Sequence, residues 1–272
     1  MTFQNARGQN IYTTQWMPEG EPKAVILIAH GLAEHSHRYD HVADAFIQNG
    51  YAVYALDHAG HGQSDGLRAY FDTLKHPVAD LEQYFEQVQA AHPDKKIFLY
   101  GHSMGALISL MFTLKHQSKL AGFISSGTPI MLDEVTSGIL ESIGNLLNRI
   151  VPRLPITPLS SSQLSHDAEV VKAYDNDPLV FRRPVRVRMG LQLLNNGRIA
   201  REKIHELRLP LYVFHGSEDA IAPPSGSDYL YQNAGSPDKT IHIYNGLYHE
   251  THNEIDKKQI INDIIDWLNA HN

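Results

Sequence analysis

The sequence has no cysteine among its 272 residues. Disulfides, thiolate metal sites and a cysteine nucleophile are therefore excluded, while the redox compartment is left open. Long apolar runs are missing too. The longest, Ala24 to Ala29 and Tyr51 to Leu56, have six residues, far short of the roughly 18 that a membrane span requires. The opening MTFQNARGQN contains no apolar h-region of an export signal. A soluble cytoplasmic protein is expected, at most peripheral at a membrane surface. Positive charge is in deficit, with 23 Lys and Arg against 30 Asp and Glu and a formal net charge of −7. That balance opposes non-specific attraction to polyanions, so no nucleic-acid partner is expected.

The chain is 42% hydrophobic and 19% charged, enough to bury a sizeable core, and it holds 17 histidines. Short apolar runs alternate with helix-length amphipathic stretches, the pattern of strands feeding crossover helices in a largely parallel sheet. AVILIA (24–29), YAVYAL (51–56), KIFLY (96–100), LAGFIS (120–125), LYVFH (211–215) and TIHIY (240–244) read as strands. They are apolar at nearly every position, as strands covered on both faces should be. TFQN and NIYTTQW, around the turn-prone RGQ, predict an antiparallel start to the sheet. Helices are predicted at about 38–48, 76–91, 104–116, 225–234 and 257–270.

The rhythm stops after Ser125 and resumes near Leu211. The intervening residues contain no convincing strand. Ile139, Leu140, Ile143, Leu146, Leu147 and Ile150 fall at helical spacing, with Glu141 and Arg149 off that face. The Pro-rich RLPITPLS ends that helix, and VVKAYDNDPLV and VRMGLQLLNN supply further helical pieces. The expected organisation is an α/β core of residues 1–127 and 207–272, with a helical cap of residues 128–206 inserted after the sixth strand.

Directly after KIFLY comes GHSMG, followed by the helical ALISLMFTLKH. A GxSxG turn between strand and helix lifts the hydroxyl of Ser103 above the sheet, and its glycines avoid clashes in a tight bend. Serine at its free pKa is a poor nucleophile, so a base and an orienting carboxylate should follow in the order acid, then histidine. Asp219 in HGSEDAI and His249 in GLYHET each lie just past the end of a predicted strand. Open α/β sheets place their sites at that edge. Glu218 and Asp228 are weaker alternatives for the acid, and His242 for the base. Asp228 falls in a helix and His242 in a strand, whereas His252 is the serious rival of His249.

Acyl transfer also needs two donors for the oxyanion. Met104 N–H follows the nucleophile, and Leu32 N–H, in AHGLAEHSHRY after the first long strand, is the natural second donor. His35, His37, His41, His58 and His61 invite a metal reading, but no HExxH pattern or thiolate accompanies them. No metal and no cofactor are expected. DHAGHGQSDG is read more simply as a turn in which Asp57 and Asp65 bond the backbone.

Taken together, HGLAEHSHRY, LDHAGHGQSDG, GHSMG, HGSED and YHE resemble the serine α/β-hydrolases of the monoacylglycerol lipase and lysophospholipase group. The likeness extends into the cap through SSSQLSHDAEVVKAYDNDPLV and GLQLL. The resemblance implies an α/β-hydrolase fold and hydrolysis of a small lipid-like ester, monoacylglycerol above all. Broader carboxylesterase, lysophospholipase and peptidase or amidase activities are the alternatives. It matches Ser103, Asp219 and His249 to a catalytic triad, and Leu32 and Met104 to the oxyanion hole. It also implies a glycerol pocket with Glu34, Arg38, Tyr174 and His252, although Glu34 and Arg38 read equally well as a structural ion pair. Ala33 stands where the group commonly has glycine, which is expected to tighten the oxyanion loop. The apolar stripe at 139–150 has three readings: an acyl tunnel, packing on the sheet, or transient contact with a membrane surface.

Overall fold

Continuous runs of β-branched, aliphatic and aromatic residues suit strands that bury both faces. The computed structural model, which describes residues 1–157 and 160–272, places such runs at the centre of one sheet. In chain order the elements are β1 (Thr2–Gln4), β2 (Asn10–Trp16), β3 (Ala24–Ala29), α1 (Asp40–Gln48), β4 (Tyr51–Leu56), α2 (Lys75–Ala91), β5 (Ile97–His102), α3 (Met104–His116) and β6 (Gly122–Ser126). After β6 come α4 (Gly138–Ile150), β7 (Pro155–Thr157), α5 (Ala168–Asn176), β8 (Val185–Arg186) and α6 (Val187–Lys203). The chain then returns through β9 (Leu211–Gly216), α7 (Ser225–Asn233), β10 (Lys239–Tyr244) and α8 (Lys257–His271).

The eight-stranded sheet has the order β1-β2-β4-β3-β5-β6-β9-β10. β2 runs antiparallel to β1 and β4, and every other pairing is parallel. This is the α/β-hydrolase fold. Strands β3 to β6 and β9 are buried at every residue. Their side chains alternate between two cores, as a two-residue period demands. Val25 and Leu27 pack toward α2 and α3, whereas Ala24, Ile26 and Ile28 pack toward α1 and α8.

β10 departs from the expectation of a strand covered on both faces. It is the last strand of the sheet, half-buried, and its His242 side chain is 42% exposed. Between β6 and β9 the chain also makes a small antiparallel pair, β7 with β8. No strand was expected there, since two- and three-residue strands leave no periodic signal. The piece expected from 187 to 196 continues as α6 to Lys203, and α5 stops at Asn176, just ahead of Asp177 and Pro178. α4 ends at Ile150, before the Pro-rich stretch, of which Pro158 and Leu159 lie outside the described residues.

α6 is the base of the segment between β6 and β9. Its Met189, Leu193 and Ala200 join the core beside α3, while its Val187, Leu191 and Leu194 meet Leu147 of α4. The 161–181 stretch is tied to the core by Phe181 N–H to Ala33 O (2.9 Å), Glu250 N–H to Leu164 O (2.8 Å) and His166 N–H to Glu254 Oε2 (2.9 Å). α4 instead meets α6 through a bidentate pair, Arg198 to Glu141 at 2.6 and 2.8 Å.

Candidate active site

The parallel register brings the loops after β3, β5, β9 and β10 to one edge of the sheet. Ser103 sits between the last residue of β5 and the first of α3, with φ 52° and ψ −121°. A non-glycine residue in that region is strained and persists only where its surroundings impose it. Here the imposition is visible. A Cβ on Gly105 would lie 2.0 Å from Ala29 O, and one on Gly101 would lie 2.6 Å from Gly105 O. The tight turn therefore needs glycine on both sides of the serine. Ser103 N–H donates to Ser126 O at 2.8 Å, which fixes the turn against β6.

Asp219 follows β9 and is almost fully enclosed. Its Oδ1 accepts Ile221 N–H (2.8 Å) and Ala222 N–H (2.9 Å), and its Oδ2 accepts His249 Nδ1–H at 2.6 Å. Burial alone would raise this carboxyl, but His249 and His215 outweigh it and hold Asp219 well below the usual carboxylate range. Burial likewise pulls His249 down, while Asp219 and, less strongly, Glu250 and Glu34 pull it up; the balance lies above the ordinary histidine value. His242, on the exposed edge strand, has no part in this cluster.

A cavity of about 620 Å³ lies over this edge. Ser103, His249 and Leu32 line it, together with Leu140, Ile143 and Leu147 of α4 and Leu191 and Leu194 of α6. Among the described residues, no protein acceptor takes the N–H of Leu32 or of Met104. Two free donors, one after the serine and one in the neighbouring loop, suit a developing negative charge. Ala33, next to Leu32, has φ 71°. Alanine thus stands in a left-handed conformation that costs it strain.

The residues expected in a glycerol pocket divide. Glu34 and Tyr174 line the cavity, as does Glu250, which the sequence reading did not single out. Arg38 and His252 lie outside that lining. Arg38 joins the two carboxylates, with Nη1 on Glu34 (2.7 Å) and Nη1 and Nη2 on Glu250 (2.5 and 2.6 Å), and its guanidinium stacks 4.8 Å from the Tyr174 ring. Glu34 Oε1 accepts Gly31 N–H (2.6 Å) and Tyr39 O–H (2.9 Å), so the ion pair also shapes the loop that carries Leu32. Burial raises Glu250 and Arg38 lowers it more, to about 2. His252 is fully buried, stacked on Tyr39 at 5.0 Å, and neither of its ring nitrogens has a protein partner. It lacks the carboxylate contact that His249 has.

Of the histidines that invited a metal reading, His35, His58 and His61 lie in loops, His37 in a short helical turn and His41 in α1. His35 Nε2 meets Asp177, His37 meets Tyr12 and Asp40, and the rings of His58 and His61 lie tilted against His30 at 4.6 and 5.4 Å. Asp57 accepts Ser36 N–H and Gln63 N–H, and Asp65 accepts Asn10 N–H, which is the backbone role read from the sequence. Among the described residues, the one group of His, Asp or Glu gathered as closely as metal ligands is His215, Asp219 and His249, with atoms within 4.8 Å. Both histidines already point a nitrogen at one carboxylate oxygen of Asp219. The arrangement is a hydrogen-bonded chain rather than an open set of lone pairs.

A strained serine at a strand-to-helix bend, sharing a cavity with a histidine held by a buried aspartate, defines a serine hydrolase of the α/β-hydrolase fold. The family model described as serine aminopeptidase, S33 (Hydrolase_4) matches residues 20–256, and the chain belongs to that family. Monoacylglycerol lipase of Mycolicibacterium smegmatis is 33% identical over 270 residues, covering 99% of this chain and 96% of that protein. Monoglyceride lipase of Homo sapiens is 34% identical over 267 residues, covering 97% of this chain and 87% of that protein. The crystal structure of Paleococcus ferrophilus monoacylglycerol lipase superposes with a TM-score of 0.86 at 28% identity, covering 96% of this chain and 99% of that one.

Proposed function

We propose that the protein is a serine carboxylester hydrolase that cleaves monoacylglycerol to a free fatty acid and glycerol. In this reading Ser103 is the nucleophile, His249 the general base and Asp219 the orienting acid. His249 takes the Ser103 proton as the hydroxyl attacks the ester carbonyl, Leu32 and Met104 N–H groups hold the oxyanion, and His249 returns the proton to departing glycerol. Water then repeats the sequence on the acyl-enzyme. Asp219 stays ionised throughout, in keeping with its four accepted hydrogen bonds.

The observation that carries the reading is the cavity itself, in which Ser103 and His249 share a space walled by apolar side chains of α4 and α6. Each buried methylene of an acyl chain contributes about 0.8 kcal/mol there. Residues 1–127 and 207–272 supply the chemistry, and the cap of residues 128–206 supplies the acyl wall. Glu34 and Tyr174 face the glycerol hydroxyls. Arg38 acts from behind by holding Glu34 and Glu250, and His252 supports the same wall from the interior.

An aminopeptidase reading is favoured by the description of the family model. It would need a free carboxylate for a substrate ammonium, and of the acidic side chains lining the cavity Glu34 and Glu250 are held by Arg38 and Glu141 by Arg198. The deciding experiment measures hydrolysis of a 1-monoacylglycerol chain-length series beside di- and triacylglycerols, lysophosphatidylcholine and aminoacyl amides. Selectivity for monoacylglycerol is expected, and Ser103→Ala should lower kcat by several orders of magnitude. Equal rates on all esters would leave a general esterase. Ser103→Ala at near wild-type rate would remove the nucleophile assignment.

Contact with a membrane surface through the cap belongs to the same reading. Ile139, Leu146 and Ile150 are 75%, 59% and 70% exposed on α4. Residues 128–206 carry ten Lys and Arg against nine Asp and Glu, so the acidic excess of the chain lies elsewhere. Ile139→Ser with Ile150→Ser should weaken flotation with phospholipid vesicles, and unchanged flotation would remove membrane contact from the proposal.

A further inference from the structure

The oxygen of Asp219 that holds His249 has a second partner. His215, the fifth residue of β9, is completely buried, and its Nε2 lies 2.7 Å from Asp219 Oδ2 and 3.1 Å from Ala222 O. Both neighbours are acceptors, so Nε2 carries the proton and donates. On the far side of the ring, Nδ1 lies 2.7 Å from Oγ of Ser227, a buried residue of α7. With the proton on Nε2, Nδ1 can accept the Ser227 hydroxyl. A chain of contacts thus runs from α7 through Ser227, His215 and Asp219 to His249.

We propose that His215 is a positioning residue for acyl transfer: it shares Asp219 Oδ2 with His249, sets which way that carboxylate faces, and tempers its grip on the imidazolium. The proposal rests on the reading of Ser103, Asp219 and His249 as nucleophile, acid and base. Its physical content is competition. An oxygen that accepts two N–H groups offers each less electron density than it would offer one. Without His215, Oδ1 remains anchored by Ile221 and Ala222 N–H, but Oδ2 serves His249 alone. The imidazolium is then held more tightly, the free base forms at higher pH, and the proton passes less readily to the leaving alcohol.

The groups facing His249 are Asp219 from the loop after β9, Glu34 from the loop after β3, His102 at the end of β5, and Glu250 and His252 from its own loop, with Arg38 behind Glu250. His215 faces Asp219, the Ala222 carbonyl and Ser227. A change confined to residue 215 leaves all the other groups in place.

The test is kcat/KM against pH on a water-soluble p-nitrophenyl ester. His215→Phe should move the acid limb upward by about half a pH unit or more and lower the plateau by about tenfold, a part of the roughly 10²–10⁴-fold that the general base itself contributes. His215→Gln, whose amide N–H can stand where Nε2–H stood, should return the limb toward its wild-type position. In the wild-type protein, ¹⁵N-histidine NMR should find the His215 proton on Nε2 across the acid limb, which does not depend on any variant folding. An unmoved limb in His215→Phe, accompanied only by a lower melting temperature, would overturn the proposal, as would an Nε2 without a proton. Ser103→Ala and His249→Ala in the same assay separate the two levels. If they retain activity, the triad reading fails. If they lose it while the limb ignores residue 215, this inference alone fails.

Discussion

Arg38 joins two carboxylates, Glu34 four residues before it in sequence and Glu250 212 residues after it. No local spacing announces such a pair, which is why Glu250 went unread although Glu34 and Arg38, four residues apart, were legible as an ion pair. Glu250 ionises near pH 2 in the fold against about 4.3 for a free glutamate. Its contribution to stability is therefore complete above the unfolded value and lost as pH falls from there toward 2. Denaturation followed from pH 7 to pH 3 should expose that loss, and Glu250→Gln should flatten it. Ala33 offers a second check at this scale. Ala33→Gly relieves a left-handed alanine and should leave stability unchanged or raise it by up to about 1 kcal/mol in a denaturant titration. The strained turn at Ser103 was legible because GxSxG has a local steric meaning. His215 was not, because a histidine inside LYVFHG reads as one more strand position. The available signal was its spacing, four residues ahead of Asp219.

Among elements, α4 is the one whose apolar stripe serves several ends. Leu147 meets Val187, Leu191 and Leu194, Leu140 and Ile143 face the cavity, and Ile139 and Ile150 face outward. The stripe covers α6 rather than the sheet. Its period was readable at 139–150, but the division of its face depends on where α6 lies, which periodicity does not encode. Leu147→Ala should cost about 1–3 kcal/mol of unfolding free energy and weaken KM for long acyl chains more than for short ones. Ile150→Ser, on the exposed side, should stay within about 0.5 kcal/mol of wild type. The strands of the sheet were legible because helices cover both their faces and demand apolar residues throughout. β10 broke the rule because an edge strand has one neighbour and keeps part of its surface in water, a property of strand order rather than of composition.

At the scale of the whole molecule, the segment between β6 and β9 is fastened unevenly. The 161–181 stretch is hydrogen-bonded to the loop after β3 and to the loop carrying His249, whereas α4 rests on α6. Local opening should therefore begin on the α4 side. Limited trypsin treatment is expected to cut first after the exposed Arg149 or Arg153, with mass spectrometry identifying the fragments. An earlier cut in α6, or in the α/β core, would contradict that order. The loop that carries the free Leu32 N–H is held by Glu34, and the carboxylate of Asp219 by Ile221 and Ala222 N–H, contacts in which α4 has no part. Substitutions in α4 can thus recut the wall of the cavity one side chain at a time while Ser103, Asp219 and His249 keep their places beneath it.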